Sequence, residues 1–402
     1  MQIRISPAPL SGTIKAIPSK SAAHRLLICA ALGSGSVELG CRSLSKDIIA
    51  TADCLKALGA EIEYKDGIFH VQPLKASDEI AFMDCGESGS TLRFLLPVVC
   101  ALGREARIKM HGRLPERPLS PLWEELIAHG CELWYPEKDV LAVKGKLKGG
   151  SFRIRADVSS QFISGLLFAL PLLNEDSSIE LIGNIESAGY IDLTREAQKK
   201  FGFDAGFDGR IFTVPATAGY VSPSVAEVEG DWSNAAFWLV ANELSSGELK
   251  ISGLDENSAQ GDKAVVQAIE AIKGGNAVID VRDIPDLLPV LAVLAAVSPG
   301  RTEFINAGRL RIKESDRLKA VRNMLETLGG SCTELEDGLI IQGCKGLKGG
   351  SVDSANDHRI AMSAAVAAIA CDEAVTVIGA EAVEKSYPLF WKDYETLGGQ
   401  LI

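Results

Sequence analysis

Basic side chains stand beside serine, aspartate or glutamate at five places where the pattern predicts the start of a helix. Unpaired backbone N–H groups and the helix dipole attract anions there, and an added cation strengthens that attraction. Any one of these residues alone would fit a surface ion pair, but their recurrence predicts a protein that binds more than one anionic group. The five places are Lys20-Ser21 with Arg25, Glu116-Arg117-Pro118, Lys313 to Arg317, Asp357-His358-Arg359 and Lys385 to Pro388.

Two carboxylates among these cations are candidates for acid–base chemistry. Asp286 lies directly before an apolar stretch, so burial should raise its pKa, whereas Lys313 and Arg317 flank Glu314 and should lower its pKa. Two carboxyl groups tuned apart in this way suit opposite roles in proton transfer. Each also has a structural interpretation, Asp286 as a helix N-cap and Glu314 as a surface ion pair.

Motifs for metals and nucleotide cofactors are missing from the sequence. It contains neither the Gly-x-Gly-x-x-Gly nor the Gly-x-x-x-x-Gly-Lys-Ser/Thr loop, and its five histidines have no ligand spacing. We therefore expect no metal and no cofactor. The nine cysteines form no Cys-x-x-Cys pair and have mostly apolar neighbours, which argues against a disulfide framework and favours a reducing compartment.

The charge and hydropathy of the chain restrict its partners. Its 402 residues include 41 Lys and Arg against 53 Asp and Glu, a formal net charge of −12 at pH 7. That sign argues against a broad basic surface for nucleic acid or anionic lipid. No stretch approaches the roughly 18 apolar residues of a membrane span, and the first residues lack the apolar core of a signal peptide. We expect a cytoplasmic protein with no nucleic-acid or membrane partner.

The elements that must position these residues recur six times, about every 70 residues, with a shortened fourth copy. Each copy has an amphipathic helix that ends at a glycine, namely Gly59, Gly130, Gly202, Gly275, Gly329 and Gly398. Each also has an apolar, interior helix, with bodies predicted over 26–32, 92–102, 162–173, 235–244, 287–297 and 360–370. The chain is therefore two similar halves of three units. Periodicity alone allows either a solenoid or two closed domains.

The ordered motifs together resemble the EPSP synthase family of enolpyruvyl transferases over nearly the whole chain. Their order and spacing, rather than any single motif, carry the resemblance. The motifs are Pro18-Ser19-Lys20-Ser21 with Arg25, Gly86 to Thr91 with Arg93, Glu116-Arg117-Pro118, Ser159 to Phe162, Ser187 with Tyr190 to Asp192, Asp286, Lys313 to Arg317, Asn356 to Arg359 and Lys385 to Pro388.

The resemblance implies an α/β fold of two similar domains, an inside-out α/β barrel in each. Each domain would contain three repeated αβ units, with parallel helices inside and sheets outside. Residues 19–228 would form the first domain, which mainly binds shikimate 3-phosphate, and residues 1–18 with 229–402 the second. The active site would lie in the cleft between the domains.

The implied reaction moves the enolpyruvyl group of phosphoenolpyruvate to the 5-hydroxyl of shikimate 3-phosphate and releases phosphate through a tetrahedral intermediate. The resemblance places around phosphoenolpyruvate Lys20, Gly89, Arg117, Gln161, Arg317, Arg359 and Lys385. It places around shikimate 3-phosphate Lys20, Ser21, Arg25, Ser159, Ser160, Gln161, Ser187, Tyr190, Asp286 and Lys313. Fixed cations would offset the repulsion between these two anions.

Catalytic roles follow from the demands of this chemistry. We expect Asp286 to take the hydroxyl proton and Glu314 to donate a proton, while Lys20 and Lys385 stabilise charge or relay protons.

Arg309 departs from the family pattern, in which an asparagine contacts the shikimate moiety. Gly89 retains the small residue beside phosphoenolpyruvate, which predicts inhibition by glyphosate. We expect the enzyme to be a monomer.

Three other interpretations compete with this one. The related carboxyvinyl transfer to UDP-N-acetylglucosamine commonly uses a loop cysteine, and the loop from Gly112 to Pro118 has none. A repeat scaffold that binds a protein partner would explain six copies, but not the recurring basic residues. A catalytically lapsed member of the family is a further alternative, although the principal charged positions are all occupied.

Overall fold

The computed structural model describes residues 1–216, 219–245 and 247–402. Over these residues, helices and strands alternate along the chain. The helices are α1 (Lys20–Leu32), α2 (Lys46–Ala57), α3 (Gly89–Leu102), α4 (Leu122–Ala128), α5 (Ser160–Ala169), α6 (Ala188–Lys200), α7 (Trp232–Leu244), α8 (Val265–Lys273), α9 (Leu288–Val297), α10 (Arg317–Thr327), α11 (His358–Ala367) and α12 (Phe390–Thr396).

The strands are short, and most have the alternating burial of a sheet with one covered face. They are β1 (Gln2–Ser6), β2 (Gly12–Lys15), β3 (Val37–Gly40), β4 (Glu61–Lys65), β5 (Ile68–Gln72), β6 (Ala81–Asp84), β7 (Ala106–Lys109), β8 (Cys131–Glu137), β9 (Val140–Gly145), β10 (Ser151–Arg155), β11 (Ser177–Ile182), β12 (Gly206–Phe207), β13 (Ile211–Val214), β14 (Val225–Glu227), β15 (Leu249–Ser252), β16 (Val278–Asp280), β17 (Arg301–Ile305), β18 (Ser331–Leu335), β19 (Gly338–Gln342), β20 (Gly350–Asp353), β21 (Val375–Ile378) and β22 (Gln400–Leu401).

The chain forms two compact units. The N-terminal unit consists of Lys20–Val228, and the C-terminal unit consists of Met1–Ser19 with Glu229–Ile402. Each unit has its own hydrophobic core. In the C-terminal unit the first strand, β1, is hydrogen-bonded between β21 and β22, so both ends of the chain lie in one sheet.

Each unit is built from sheets of one design. The N-terminal unit has three four-stranded sheets, ordered β14-β3-β5-β4, β6-β7-β9-β8 and β10-β11-β13-β12. In each of them a parallel pair is extended by two antiparallel pairings, as β6 with β7 and then β7 with β9 and β9 with β8. The C-terminal unit has two such sheets, β16-β17-β19-β18 and β20-β21-β1-β22, and the shortened fourth repeat contributes only the parallel pair β15-β2.

The apolar helix of each repeat lies inside its unit. In α9, for example, every residue from Leu288 to Ala296 is buried, because apolar side chains occupy all faces of that helix. The inner helices α7, α9 and α11 of the C-terminal unit contact one another pairwise. The three repeats of this unit therefore close around a common core, which excludes a solenoid for this unit.

The glycines that mark the six repeats all have positive φ angles. They are Gly59, Gly130, Gly202, Gly275, Gly329 and Gly398, with φ between 76° and 107°. A left-handed residue after a helix ends it and turns the chain into the next strand, and glycine has no side chain to oppose that conformation. In the described residues, none of the helices is long and apolar enough to cross a membrane.

Candidate active site

In the C-terminal unit, Asp286 links two arginines that come from different repeats. It lies in the 3₁₀ turn Pro285–Leu287, directly before α9. Its Oδ1 accepts a hydrogen bond from Arg317 Nη1 at 2.7 Å, and its Oδ2 accepts one from Arg359 Nη2 at 2.7 Å. Arg359 Nη1 also donates to the backbone oxygen of Asp286 at 3.2 Å. Both carboxylate oxygens of Asp286 are thus held by guanidinium groups.

Arg317 is the centre of this cluster, although it is only 1% exposed. It donates to Asp286, to Glu314 Oε2 at 2.8 Å and, through Nε, to Asp357 Oδ2 at 2.8 Å. Asp357 also caps α11, because its Oδ1 accepts from the backbone N–H of Arg359. One buried cation therefore organises three carboxylates. We call Asp286, Glu314, Arg317, Asp357 and Arg359 the arginine cluster.

The charges of the arginine cluster set the pKa of Asp286. Burial by itself would raise the pKa of this carboxyl, but Arg359, Lys313 and Arg317 outweigh that effect and hold its pKa well below the usual range. Asp286 is therefore ionised. The same arginine, Arg317, also keeps the pKa of the buried Asp357 below its ordinary value against the opposing effect of burial.

Two lysines adjoin the arginine cluster. Lys313 Nζ lies 4.0 Å from Asp286 Oδ1, and burial lowers the pKa of this lysine to about 8. Lys385 ends the 3₁₀ turn Ala380–Lys385, where its Nζ donates to the backbone oxygen of Asn356 at 2.6 Å. Ala355 and Asn356 both have φ near +50°, at 52° and 55°, an unfavourable conformation for side-chain-bearing residues directly before α11.

In the N-terminal unit, Lys20 is the first residue of α1 and forms an ion pair with Asp47 at the start of α2. The distance from Lys20 Nζ to Asp47 Oδ2 is 2.9 Å, and both side chains are 16% exposed. Lys20 therefore lies where the first turns of two helices meet. Asp47 was not among the sequence candidates, although an acidic residue in the first turn behind the N-cap Ser45 is the kind of signal that marks a helix start.

Arg25 is buried one helical turn after Ser21 and lies beside Tyr190. Its Nη1 donates to the Ser21 backbone oxygen at 2.7 Å, its Nη2 to the Tyr190 backbone oxygen at 2.8 Å and its Nε to Thr194 Oγ1 at 2.9 Å. Burial lowers the pKa of Arg25 to about 10, so it remains charged at neutral pH. All three acceptors are uncharged, so the positive charge is not neutralised by them and favours an anion nearby.

Serines also lie at two further helix starts of the N-terminal unit. Ser159 caps α5 by accepting from the backbone N–H of Gln161, and Ser160 is the first residue of that helix. Ser187 precedes α6 with a left-handed backbone, at a φ of 58°, and is buried. A serine in this conformation costs free energy that a purely structural turn would avoid, which marks the position as a functional candidate.

Gly89 and Arg117 are in direct contact. Gly89 is the first residue of α3, and a Cβ atom at this position would lie 2.8 Å from Arg117 Nη1. The glycine therefore leaves the space that the guanidinium group occupies. Arg117 itself follows the 3₁₀ turn Leu114–Glu116 in an extended conformation.

Gln161 is joined to α3 by two hydrogen bonds. Its Oε1 accepts from Arg93 Nη1 at 2.8 Å, and its Nε2 donates to Ser90 Oγ at 2.9 Å. Arg93 belongs to a sequence motif but was not a site candidate, and its buried guanidinium group now proves to orient Gln161.

The sequence prediction that all five basic groups lie at helix starts is wrong at two of them. Lys20, Arg317 and Arg359 do lie in the first turns of α1, α10 and α11. Arg117, however, lies before the helix start, because α4 begins only at Leu122, and Lys385 lies at the end of a 3₁₀ turn. For these two residues the helix dipole supplies no anion site, so any role must come from the side chains.

The structure brings the candidates of the C-terminal unit together and connects half of those of the N-terminal unit, in two separate groups. In the C-terminal unit, Asp286, Lys313, Glu314, Arg317 and Arg359 form one connected group, and Lys385 binds the segment that leads into α11. In the N-terminal unit, Ser21, Arg25 and Tyr190 form one group, and Gly89 forms another with Arg117.

Comparison with known proteins shows that the chain is similar to carboxyvinyltransferases. A model of EPSP synthase (3-phosphoshikimate 1-carboxyvinyltransferase) matches residues 5–394. The 3-phosphoshikimate 1-carboxyvinyltransferase of Clostridium kluyveri is 43% identical, with 99% of this chain and 98% of that protein covered. The enzyme of the same name from Clostridium acetobutylicum is 42% identical, with 99% and 98% covered.

A solved structure of EPSP synthase from Acinetobacter baumannii has the same fold, with a TM-score of 0.82 at 24% sequence identity. The similarity covers 100% of this chain and 99% of that one. It confirms the predicted α/β fold class. Because the family model and both relatives span nearly the whole chain, the chain belongs to the EPSP synthase family.

Proposed function

We propose that the protein transfers the carboxyvinyl group of phosphoenolpyruvate to the 5-hydroxyl of shikimate 3-phosphate and releases phosphate. This is the shikimate-pathway reaction of its family. The observation that carries the proposal is the bridge from Arg317 through Asp286 to Arg359, with Lys313 beside it. In this bridge, Asp286 would be a base among the cations that two anionic substrates need.

The reaction has two stages with opposite proton demands. In the addition, the 5-hydroxyl oxygen bonds to C2 of phosphoenolpyruvate, the hydroxyl loses its proton, and C3 gains one. In the elimination, the bond from C2 to the phosphate oxygen breaks, C3 loses a proton, and the double bond forms again. The enzyme therefore needs a base near the hydroxyl and a proton donor near C3 in the first stage.

Asp286 is the proposed base for the hydroxyl. Its two oxygens now accept from Arg317 and Arg359, which makes it a weak base. Phosphoenolpyruvate would offer its own carboxylate and phosphate oxygens to these arginines, and bidentate arginine contacts suit both groups. As the arginines turn to the substrate, the pKa of Asp286 would rise. Substrate binding would thus activate the base.

Glu314 is the proposed proton donor to C3, and Lys20 and Lys385 are proposed to stabilise charge or relay protons. Glu314 now accepts from Arg317 at 2.8 Å, so it too would become a better proton carrier once Arg317 binds substrate. Lys385, bound to a backbone oxygen, and Lys20, paired with Asp47, would exchange these partners for a phosphate oxygen.

The proposed contact residues fall into two sets, one for each substrate. Cations and the small Gly89 would surround phosphoenolpyruvate, and hydroxyl-bearing residues with Arg25 and Lys313 would surround shikimate 3-phosphate. The phosphoenolpyruvate set is Lys20, Gly89, Arg117, Gln161, Arg317, Arg359 and Lys385. The shikimate 3-phosphate set is Lys20, Ser21, Arg25, Ser159, Ser160, Gln161, Ser187, Tyr190, Asp286 and Lys313.

A phosphate-release assay with the purified protein tests the function. Phosphoenolpyruvate is supplied with either shikimate 3-phosphate or UDP-N-acetylglucosamine. Of the two acceptors, we expect only shikimate 3-phosphate to give phosphate release. That release should be lost in Lys20→Ala and Arg117→Ala. Release with the nucleotide sugar would show that the protein catalyses the related carboxyvinyl transfer to UDP-N-acetylglucosamine. No release with either acceptor would refute both activities.

We also propose a cytoplasmic, monomeric enzyme. Its nine cysteines are free thiols, a state that the reducing cytoplasm maintains. Every residue in the proposed mechanism belongs to a single chain, so the reaction requires no second copy. Light scattering during size-exclusion chromatography should give a mass near 42.8 kDa, and a value twice as large would contradict the monomer.

A further inference from the structure

A chain of buried hydrogen bonds connects three helices of the N-terminal unit. His24 Nδ1 lies 2.6 Å from Thr51 Oγ1, which lies 2.7 Å from Thr91 Oγ1. Thr91 Oγ1 donates to Ser88 Oγ at 2.8 Å, and the Thr91 backbone N–H donates to the same oxygen. The residues belong to α1, α2 and the start of α3, and none is more than 1% exposed. We call these four residues the hydroxyl chain.

The direction of the hydroxyl chain follows from counting hydrogens. A hydroxyl group has one hydrogen to donate. Thr91 donates its hydrogen to Ser88, so it must accept from Thr51. Thr51 therefore has no hydrogen left for His24 and must accept from it. His24 must carry a hydrogen on Nδ1.

The surroundings of His24 keep it neutral in this tautomer. Its Nε2 is buried and has no hydrogen-bond partner among the described residues, so a proton on that nitrogen would be a buried, unsatisfied donor. Burial holds the pKa of His24 well below its ordinary value, and the nearby Lys20 and Arg25 lower it further. The imidazole is therefore a fixed, uncharged donor.

Helix α2 carries two contacts that lie one helical turn apart. Asp47 forms the ion pair with Lys20 on α1, and Thr51, four residues later, joins His24 on α1 to Thr91 on α3. Residues four apart lie on the same helix face. This face of α2 thus binds both the helix that begins at Lys20 and the helix that begins at Gly89.

We infer that Thr51 is a positioning residue for enolpyruvyl transfer, whose hydroxyl keeps the starts of α1 and α3 in register. Lys20 and the backbone end of α3 at Gly89 then meet phosphoenolpyruvate together. The inference rests on the proposed function, because it takes Lys20 and Gly89 as contacts of that substrate. Removing the hydroxyl would leave the Nδ1–H of His24 without an acceptor in a buried site, and the helix starts would shift to relieve that cost.

Steady-state kinetics of three variants test this role. Thr51→Val removes the hydroxyl and keeps the shape, Thr51→Ser keeps the hydroxyl, and Thr302→Val makes the same change at a buried threonine of β17 in the other unit. We expect Thr51→Val to lower kcat/KM for phosphoenolpyruvate by roughly tenfold or more, because small misplacements of reacting groups have large effects. KM for shikimate 3-phosphate should rise as well, because Lys20 and Ser21 at the start of α1 are also proposed contacts of that substrate. The other two variants should resemble the wild type.

The histidine tautomer gives a readout that does not depend on activity. Long-range ¹H–¹⁵N NMR correlations distinguish Nδ1–H from Nε2–H imidazole, and His24→Asn identifies the His24 signals among the five histidines. We expect His24 to be neutral with its proton on Nδ1 between pH 6 and 8 in the wild type. This measurement and Thr51→Ser remain informative if Thr51→Val fails to fold.

Several results would overturn the inference. An Nε2–H tautomer would refute the hydroxyl chain, and a Thr51→Val enzyme as active as Thr302→Val would refute the positioning role. Loss of activity in Thr51→Ser equal to that in Thr51→Val would show that the methyl group, not the hydroxyl, matters. Failure of the wild type to release phosphate would refute the proposed function itself, and an active wild type with an insensitive Thr51→Val would refute only this inference.

Discussion

Asp286 shows how burial and ion pairing compete for one carboxyl group. Its position before an apolar helix indicates desolvation and a raised pKa, but the three nearby cations reverse the sign. Such a carboxylate is a poor base until an anion competes for its arginines. At the scale of single residues, the charges of the arginine cluster and of Lys313 therefore balance one another, and the proposed substrates would have to displace these ion pairs.

Replacement of Asp286 by asparagine tests the base directly. Asp286→Asn should lower kcat by about 100-fold or more, the usual contribution of a general base, with a smaller change in KM. Single-turnover phosphate release measures this effect. Asp372→Asn, an exposed aspartate of the same unit, is the control, and kcat near the wild-type value in Asp286→Asn would refute the assignment.

The lowered pKa of Lys313 predicts that KM for shikimate 3-phosphate depends on pH. Because burial lowers its pKa to about 8, this lysine is protonated below that pH and loses its charge above it. KM for shikimate 3-phosphate should therefore rise as the pH increases past about 8. In Lys313→Arg the rise should move to higher pH, since arginine keeps its charge. An unchanged profile in that variant would show that another group titrates.

At the scale of elements, the starts of helices position several of the candidate basic residues. At the start of α3, glycine determines how closely the side chain of Arg117 approaches. The inner helices α1 and α11 and the outer helix α10 present Lys20, Arg359 and Arg317 in their first turns. The positions of Lys385 and Arg117 instead depend on 3₁₀ turns and extended segments. The periodicity of hydrophobic residues does not indicate where such segments end. The sequence therefore predicted the helical positions well and these two poorly.

Gly89→Ala tests the close approach at the start of α3. The added Cβ would lie 2.8 Å from Arg117 Nη1, so the guanidinium group must move. We expect KM for phosphoenolpyruvate to rise several-fold, and the inhibition by glyphosate predicted for the wild type to be lost. Inhibition curves at fixed phosphoenolpyruvate measure both effects. Gly35→Ala, where no atom lies within 4 Å of the added Cβ, is the control.

Equal inhibition of the Gly89→Ala and Gly35→Ala enzymes would contradict this placement of the substrate. A wild-type enzyme unaffected by millimolar glyphosate would contradict the expected sensitivity.

At the scale of the whole molecule, two units with separate cores carry clusters of opposite character. The C-terminal unit concentrates ion pairs around Arg317, whereas the N-terminal unit holds its buried Arg25 with neutral oxygens. Buried charges of this kind make the stability of a unit depend on pH, because folding changes their proton affinity.

Asp262, buried in the C-terminal unit, supplies a prediction for stability. Burial, and next the charge of Asp286, raise the pKa of Asp262 from 3.8 to about 7. The folded state therefore favours its neutral form, and the resulting stabilisation is complete below pH 3.8 and is lost as the pH rises through about 7. Asp262→Asn should raise the Tm at pH 8 relative to the wild type and have less effect at pH 5.

Calorimetry at the two pH values measures this difference. Asp372→Asn should leave both transitions unchanged. A Tm gain in Asp262→Asn that is equal at pH 5 and pH 8 would contradict titration of Asp262 as its cause.

The sequence alone determined the repeats, the six interior helices and the glycines that end the outer helices, because hydrophobic periodicity and left-handed turns are local properties. Its ordered motifs also indicated the family. Only the tertiary structure decided which charges meet. Asp286 binds Arg317 and Arg359 across long stretches of chain, and Lys20 binds Asp47 on the next helix. The packing between repeats determines these ion-pair partners, so no local sequence pattern predicts them. The same reason explains why the hydroxyl chain became visible only in three dimensions.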